Sequence, residues 1–454
     1  MKIQAKIEDK FPQFVKTILT RIQSSKLGYR LARGTFWTLL GAILSRLFML
    51  ISSIVVARIL GKTSFGELGI IQSTVGMFGT VAGFGMGMTA TKFIAEFRGT
   101  DPIKAGRIRG LSSAFSWVSS GATACAMFIF APWLAENTLA APQLTGLLRI
   151  GSILLFFTAI NGAQTGALAG FEAFKPVAKI NLWCGLANLP LMIGGVYFGG
   201  INGAVWGMVL SIILNWSLNH HAIRIECKKA GVPYTYNGIW YERDILLKFS
   251  VPAVISASFF APTEWIVNAI LVNEPDGYGQ MGLFNATKQW HVLILYIPMT
   301  ISNLTFPILS NLLGEKEDRQ YQKMIFLNFC LITGLAFITA LPVSICSKII
   351  MSLYGNEFVD GNIVLLIVCA YSILWAANIV IGQVLWSAGL AKTAMILGAI
   401  RAGILIFSFT ILTSKNAYGL ALAYLITYSS MTVYQGIISV ITVRKITKNR
   451  VKSI

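Results

Sequence analysis

Phe65-Gly-Glu-Leu-Gly-Ile-Ile-Gln-Ser-Thr74 returns in the second half of the chain as Tyr278-Gly-Gln-Met-Gly-Leu-Phe-Asn-Ala-Thr287. Gly66/Gly279, Gly69/Gly282 and Thr74/Thr287 are identical, and other positions exchange similar residues, Phe for Tyr, Leu for Met, Ile for Leu and Gln for Asn. At nearly the same offset, Gly166 to Val177 matches Gln383 to Ala394, and Asn202-Gly-Ala-Val-Trp-Gly207 mirrors Tyr418-Gly-Leu-Ala-Leu-Ala423. Self-similarity at one fixed offset marks two copies of a single structural unit.

The surrounding composition says what that unit is made of. Hydrophobic residues make up 55% of the 454 and charged residues only 12%, and the mean hydropathy is +0.68. A bilayer core about 30 Å thick takes about 20 apolar residues per helix, and about twelve such stretches recur between residues 35 and 442. Runs such as Ile363 to Ala370 are apolar on every side, which excludes barrel strands that alternate apolar and polar residues. The expected fold is an all-α polytopic membrane protein: about 12 transmembrane helices in two pseudo-symmetric six-helix lobes, 35–222 and 248–442. Six is even, so both halves enter from the same side and are related by an axis along the membrane normal.

The net charge of +19 could suggest a nucleic-acid partner, but its distribution follows the membrane. With the N-terminus inside, about 29 Lys and Arg fall on the inner face and about 5 on the outer, chiefly Arg58, Lys62, Arg149, Lys348 and Lys415; this split puts both termini in the cytoplasm. Residues 1–34 lack the apolar core of a signal peptide and read as a basic amphipathic segment on anionic headgroups. Residues 223–247 read as a cytoplasmic linker and 443–454 as a basic tail. The six cysteines show no paired spacing and read as core residues.

Charges inside apolar helices are costly and are kept where they line a cavity or meet a partner. Four qualify: Arg46, Glu264, Lys288 and Arg401. Arg46, Lys288 and Arg401 fall near mid-depth and together suit an anion, since guanidinium and ammonium groups bind phosphate oxygens. Trp265 and Asn268 beside Glu264, and Asn285, Gln289 and Trp290 beside Lys288, could meet sugar hydroxyls and ring faces. The competing reading makes Glu264 and Lys288 a structural ion pair and Trp265 and Trp290 packing or interface-belt residues.

Other motifs fail. Gly61-Lys-Thr63 has Val56 where a P-loop needs its first glycine, so no ATP site is expected. His220, His221 and His291 are not spaced as metal ligands, no hydrolase triad is visible, and an enzyme is not expected.

The runs Ala57-Arg-Ile-Leu-Gly-Lys-Thr-Ser-Phe-Gly-Glu-Leu-Gly69 and Gly83-Phe-Gly-Met-Gly-Met-Thr-Ala-Thr-Lys-Phe-Ile-Ala95, with Gly277 to Lys288, Pro298 and Phe306-Pro-Ile-Leu-Ser310, resemble the Wzx-type polysaccharide flippases. These belong to the multidrug/oligosaccharidyl-lipid/polysaccharide exporter superfamily. The resemblance covers about residues 35 to 440. It implies a V-shaped pair of lobes in the bacterial inner membrane that alternates access and moves undecaprenyl-pyrophosphate-linked oligosaccharide to the outer leaflet for O-antigen, capsule or exopolysaccharide assembly. It also implies an ion gradient or the membrane potential as the drive and cationic residues holding the pyrophosphate (Arg46, Lys288 and Arg401 here); no cofactor is expected, and a glycan polymerase or other assembly proteins are candidate partners. Glu264 stands where many members carry Asp, which leaves ion coupling or sugar contact open. A cation-coupled multidrug exporter and a peptidoglycan-precursor flippase of the same superfamily are the alternatives.

Overall fold

The computed structural model describes residues 26–83, 85–245, 250, 259–314 and 318–451. The amphipathic segment expected in residues 1–34 lies mostly outside them, as does the start of the apolar stretch expected from residue 248. Among the described residues every regular element is helical: α1 Lys26–Ala82, α2 Met86–Phe97, α3 Pro102–Trp133, α4 Thr145–Gly170, α5 Phe174–Lys229, α6 Ala261–Val272, α7 Gly277–Gly314, α8 Asp318–Ile345, α9 Ser347–Tyr354, α10 Asn362–Ser387, α11 Ala391–Ile411 and α12 Ala417–Val451. Asp101 starts α3 by accepting the Lys104 amide at 3.0 Å, with Pro102 in the first turn, where its missing N–H costs nothing.

Eight stretches among the described residues are long and apolar enough to cross a membrane. Two of them, 43–82 and 174–229, each contain two of the expected apolar stretches with no loop between. One glycine redirects the chain in each: Gly61 at φ 75°, ψ 173° and Gly200 at φ 54°, ψ −136°. A side chain at either φ would clash with its own backbone, so glycine alone makes the turn cheaply. Around Gly200 the two arms of α5 fold back on each other, with Gly195 against Gly203, Leu191 against Gly207 and Asn188 donating to Ser211 at 3.3 Å.

Helices α1 to α5 pack mainly among themselves, as do α7, α8, α10, α11 and α12, while α1 also lies along α6 and α7. The largest buried apolar cluster crosses that seam, running from Val56 and Ile71 through Leu148 to Val267, Leu283 and Tyr371. Outward faces are apolar too: Phe198 is 88% and Ile345 76% exposed, which suits hydrocarbon and would be a liability in water.

The two copies of the repeated motif are packing partners. Where Gly66 lacks a side chain, the Tyr278 carbonyl and the Gly282 nitrogen occupy the space; Gly282 in turn faces the Lys62 carbonyl, and Gly69 faces the Asn285 amide. Small residues allow main chains to touch in a membrane protein, where close contact replaces the hydrophobic effect as the associating force. Polar contacts flank this seam. Lys62 pairs with Asp276 at 2.9 Å, its amide donates to Glu357 at 3.2 Å, Tyr278 donates to the Leu139 carbonyl at 2.7 Å, and Lys415 pairs with Glu274 at 3.1 Å.

Beyond α5 the chain folds back over α3. Arg109, only 3% exposed, donates to the Thr235 carbonyl at 2.8 Å and lies 3.7 Å from the centre of the Tyr234 ring. Arg224 covers the same ring at 5.5 Å, and Arg107 reaches Glu242 at 3.7 Å. The strap's two hydroxyls diverge. Burial raises the Tyr234 pKa despite the Arg109 charge; burial acts the same way on Tyr236, but hydrogen bonds with Ser113 and Arg109 outweigh it and lower that pKa.

Candidate functional site

A cavity of about 340 Å³ opens between the first arm of α1, both arms of α5, α4 and α7. Arg46 enters it from α1, roughly 22 Å from the Gly61 turn at about 1.5 Å per residue. Its entry depends on a close approach: a Cβ on Gly185 of α5 would lie 2.6 Å from Ser45 Oγ and 2.9 Å from Ser45 Cα, so only glycine lets the α1 arm sit this near. The guanidinium lies 5.7 Å from the Tyr296 ring of α7, a cation–π contact worth about 0.5–1 kcal/mol at an exposed site. Arg46 is exposed, and among the described residues it makes no ion pair; no carboxylate lines the cavity. A cation in that setting is available to an anionic guest.

The other intrahelical charges are elsewhere. Lys288 donates to Glu264 at 2.8 Å, with the two side chains 32% and 20% exposed. Each neutralises the other, so removing one leaves a half-buried charge unpaired. His291, one turn along α7, bonds Ser372 at 2.8 Å and lies against the Tyr371 and Trp375 rings. Tyr371, Tyr424 and Tyr428 stack at 5.4 to 6.2 Å between centroids, beside Glu264. Arg401 borders Tyr424 and Tyr428 and covers the Phe260 ring at 4.5 Å. Lys288 and Arg401 thus share one aromatic cluster, and Arg46 lines the other side of the seam.

The polar residues expected beside Glu264 and Lys288 are mostly engaged by protein. Trp265 Nε1 donates to Thr74 at 3.0 Å and Asn268 Nδ2 to Ser73 at 2.9 Å, both across the seam to α1. Asn285 is buried against Gly69, and Trp290 packs on the central apolar cluster. Gln289 remains half-buried on α7. What the charge-led reading overlooked are the neutral amides of α5: Asn181, Asn188 and Asn215 all line the cavity. Their signal was legible, since Asn181 and Asn188 stand seven residues apart in an apolar helix, which places them on one face.

Comparison with known proteins fits this architecture. The polysaccharide biosynthesis protein family matches residues 31–313, and the chain belongs to that family. EpsE of Ralstonia solanacearum, an EPS I polysaccharide export inner membrane protein, is 24% identical over 204 residues, 44% of this chain. The chain spans less than half of that relative, 45% of its length. Stage V sporulation protein B of Bacillus subtilis is 22% identical over 86% of this chain and 80% of its own. Among solved structures, an inward-facing multidrug resistance MATE family transporter of the MOP superfamily superposes with a TM-score of 0.72 at 15% identity, covering 89% of this chain and 96% of the other. Vibrio cholerae VcmN, a MATE transporter in its bent form, gives 0.64 at 14%, covering 92% and 98%. The fold is the one these MOP-superfamily transporters share, and the eight long apolar stretches among the described residues make the chain a multi-pass membrane protein.

Proposed function

We propose that this protein is a flippase that carries undecaprenyl-pyrophosphate-linked oligosaccharide from the cytoplasmic to the outer leaflet for surface polysaccharide assembly. The observation that carries the reading is Arg46: an intramembrane cation with no carboxylate partner among the described residues, projecting into a cavity lined by no acid. Pyrophosphate is the anion such a lipid presents, and a guanidinium meets it with paired hydrogen bonds. Membership of a polysaccharide biosynthesis family supplies the sugar.

On this reading the two six-helix lobes are residues 35–222 and 248–442, joined by a cytoplasmic linker at 223–247, with both termini and the 443–454 tail inside. The seam of Gly66 and Gly282 then closes the outer side while the Arg46 cavity faces inward. Lys288 and Arg401 form a second cationic station, and Glu264 tunes the first of them by ion coupling or sugar contact. Transport draws on an ion gradient or the membrane potential, with no ATP, and a glycan polymerase receives the product.

The test is precursor topology in cells lacking the gene, complemented with wild type or Arg46→Ala protein of matched abundance. Accumulation of lipid-linked oligosaccharide on the cytoplasmic leaflet, cleared by wild type and not by Arg46→Ala, supports the proposal. Normal arrival at the outer leaflet in the deletion, with no second flippase present, refutes it.

A further inference from the structure

The cavity that holds Arg46 also holds a set of neutral amides and hydroxyls, and the hydrogen bonds around them fix which atoms face a guest. Asn161 and Asn219 both donate to Asn215 Oδ1, at 2.8 and 2.7 Å. That oxygen is taken, and the Asn215 nitrogen that faces the cavity already hydrogen-bonds Cys184 through one N–H, which leaves its second N–H for a guest. Asn188 Nδ2 donates to Ser211 Oγ at 3.3 Å, so the Asn188 oxygen remains as an acceptor and the Ser211 hydroxyl as a donor. Asn181 makes no protein hydrogen bond among the described residues and offers both. The two arms of α5 therefore present both donors and acceptors to the cavity.

Met49, Met208 and Leu154 complete the lining. Such a wall suits a ligand whose hydroxyls each donate and accept at the rim of an apolar ring face. The volume of about 340 Å³ falls at the lower end of small-molecule pockets, roughly 300–1,000 Å³. That is room for one sugar unit beside a phosphate, and the amides carry no charge to repel the phosphate.

We infer that Asn181, Asn188 and Asn215 form the recognition site for the sugar unit next to the pyrophosphate, and that specificity for the glycan resides on α5 and not on α6 and α7. The inference rests on the flippase reading and adds the residues that read the sugar. It also gives α5 a role that its apolar character hides: it supplies most of the hydrogen bonds the guest exchanges for water.

The experiment uses purified full-length protein in lipid nanodiscs and two probes: undecaprenyl pyrophosphate, and the sugar-bearing lipid extracted from cells lacking this gene. One or two lost hydrogen bonds correspond to a roughly tenfold change in affinity. Asn181→Ala and Asn188→Ala are expected to weaken the sugar-bearing lipid by about that factor and leave the bare lipid unchanged, whereas Arg46→Ala weakens both. Asn181→Gln retains part of the binding. Without any substitution, the sugar-bearing lipid is expected to slow hydrogen–deuterium exchange in the α5 peptide that carries Asn181 and Asn188 more than the bare lipid does, read by mass spectrometry. If both lipids bind wild type but the Ala variants weaken them equally or not at all, or both slow exchange of that α5 peptide equally, the amide assignment is overturned and the flippase reading stands. If neither lipid binds wild type, both fall.

Discussion

Gly66 and Gly282 meet main chain to main chain: a Cβ on Gly66 would lie 2.8 Å from the Gly282 nitrogen. Any side chain at residue 66 must push backbone aside, and backbone yields less readily than the end of a flexible side chain. Overpacking of this kind costs about 1–3 kcal/mol. Gly66→Val is therefore expected to lower the thermal midpoint of the detergent-purified protein and to abolish transport, while Gly76→Val, with open space around its Cβ position, leaves both near wild type. Equal behaviour of the two variants would remove the seam from the argument.

The Glu264–Lys288 pair answers to a charge exchange. Glu264→Ala or Lys288→Ala alone leaves a half-buried charge without its partner, and with this much solvent access the loss is about 1–2 kcal/mol each. The combined Glu264→Lys and Lys288→Glu protein is expected to recover stability by thermal denaturation. Its transport distinguishes roles: recovery marks a structural pair, and continued failure marks a position-specific part in the cycle.

Close approach at Gly185 controls where Arg46 stands. Gly185→Ala is expected to displace the α1 arm by a few tenths of an ångström, because its Cβ would fall 2.9 Å from Ser45 Cα, and so to reduce transport several-fold with little change in helix content by circular dichroism. Ser45→Gly in the same chain removes the hydroxyl from the clash and should restore part of the activity. Failure of Gly185→Ala to affect transport would show that the cavity tolerates a wider entry.

Arg109 holds the strap that follows α5. Losing a buried cation that stacks on Tyr234 and donates to Thr235 leaves a carbonyl without its donor, at about 1–3 kcal/mol. Arg109→Ala should open residues 231–242 to limited proteolysis at protease levels that leave wild type intact. Arg109→Lys should rescue little, since an ammonium lacks the planar face that covers a ring. An unchanged digestion pattern in both variants would mean that Arg107 and Arg224 hold the strap alone.

Much of this was legible in the residues. Apolar runs announced the helices because that signal is local in sequence, and the decapeptide repeat marked two segments that meet in the fold. Arg46 stood out because a charge within an apolar helix is rare. The turns at Gly61 and Gly200 did not stand out: a chain with 42 glycines offers no way to tell which one will take a positive φ. Arg109 was hidden among the basic residues at the start of α3, since its partners Tyr234 and Thr235 lie far along the chain and a long-range cation–π contact leaves no local mark. Trp265 and Asn268 looked like ligands for a guest; what they meet is Thr74 and Ser73, and no spacing rule reports a contact across the seam.

The seam has one more implication. The same decapeptide pattern sits on both of its sides, so a half-length chain carrying the pattern once would already own both surfaces of the contact. It could meet its own copy through main-chain approach at the same glycines. The contact is staggered, though: Gly66 meets Gly282, the counterpart of Gly69, whereas Gly279, the counterpart of Gly66, meets Asp276 and Lys62, so the junction uses two copies of one motif without the reciprocity of a two-fold dimer. Coexpression of the two halves as separate chains would ask whether the covalent link still matters to it.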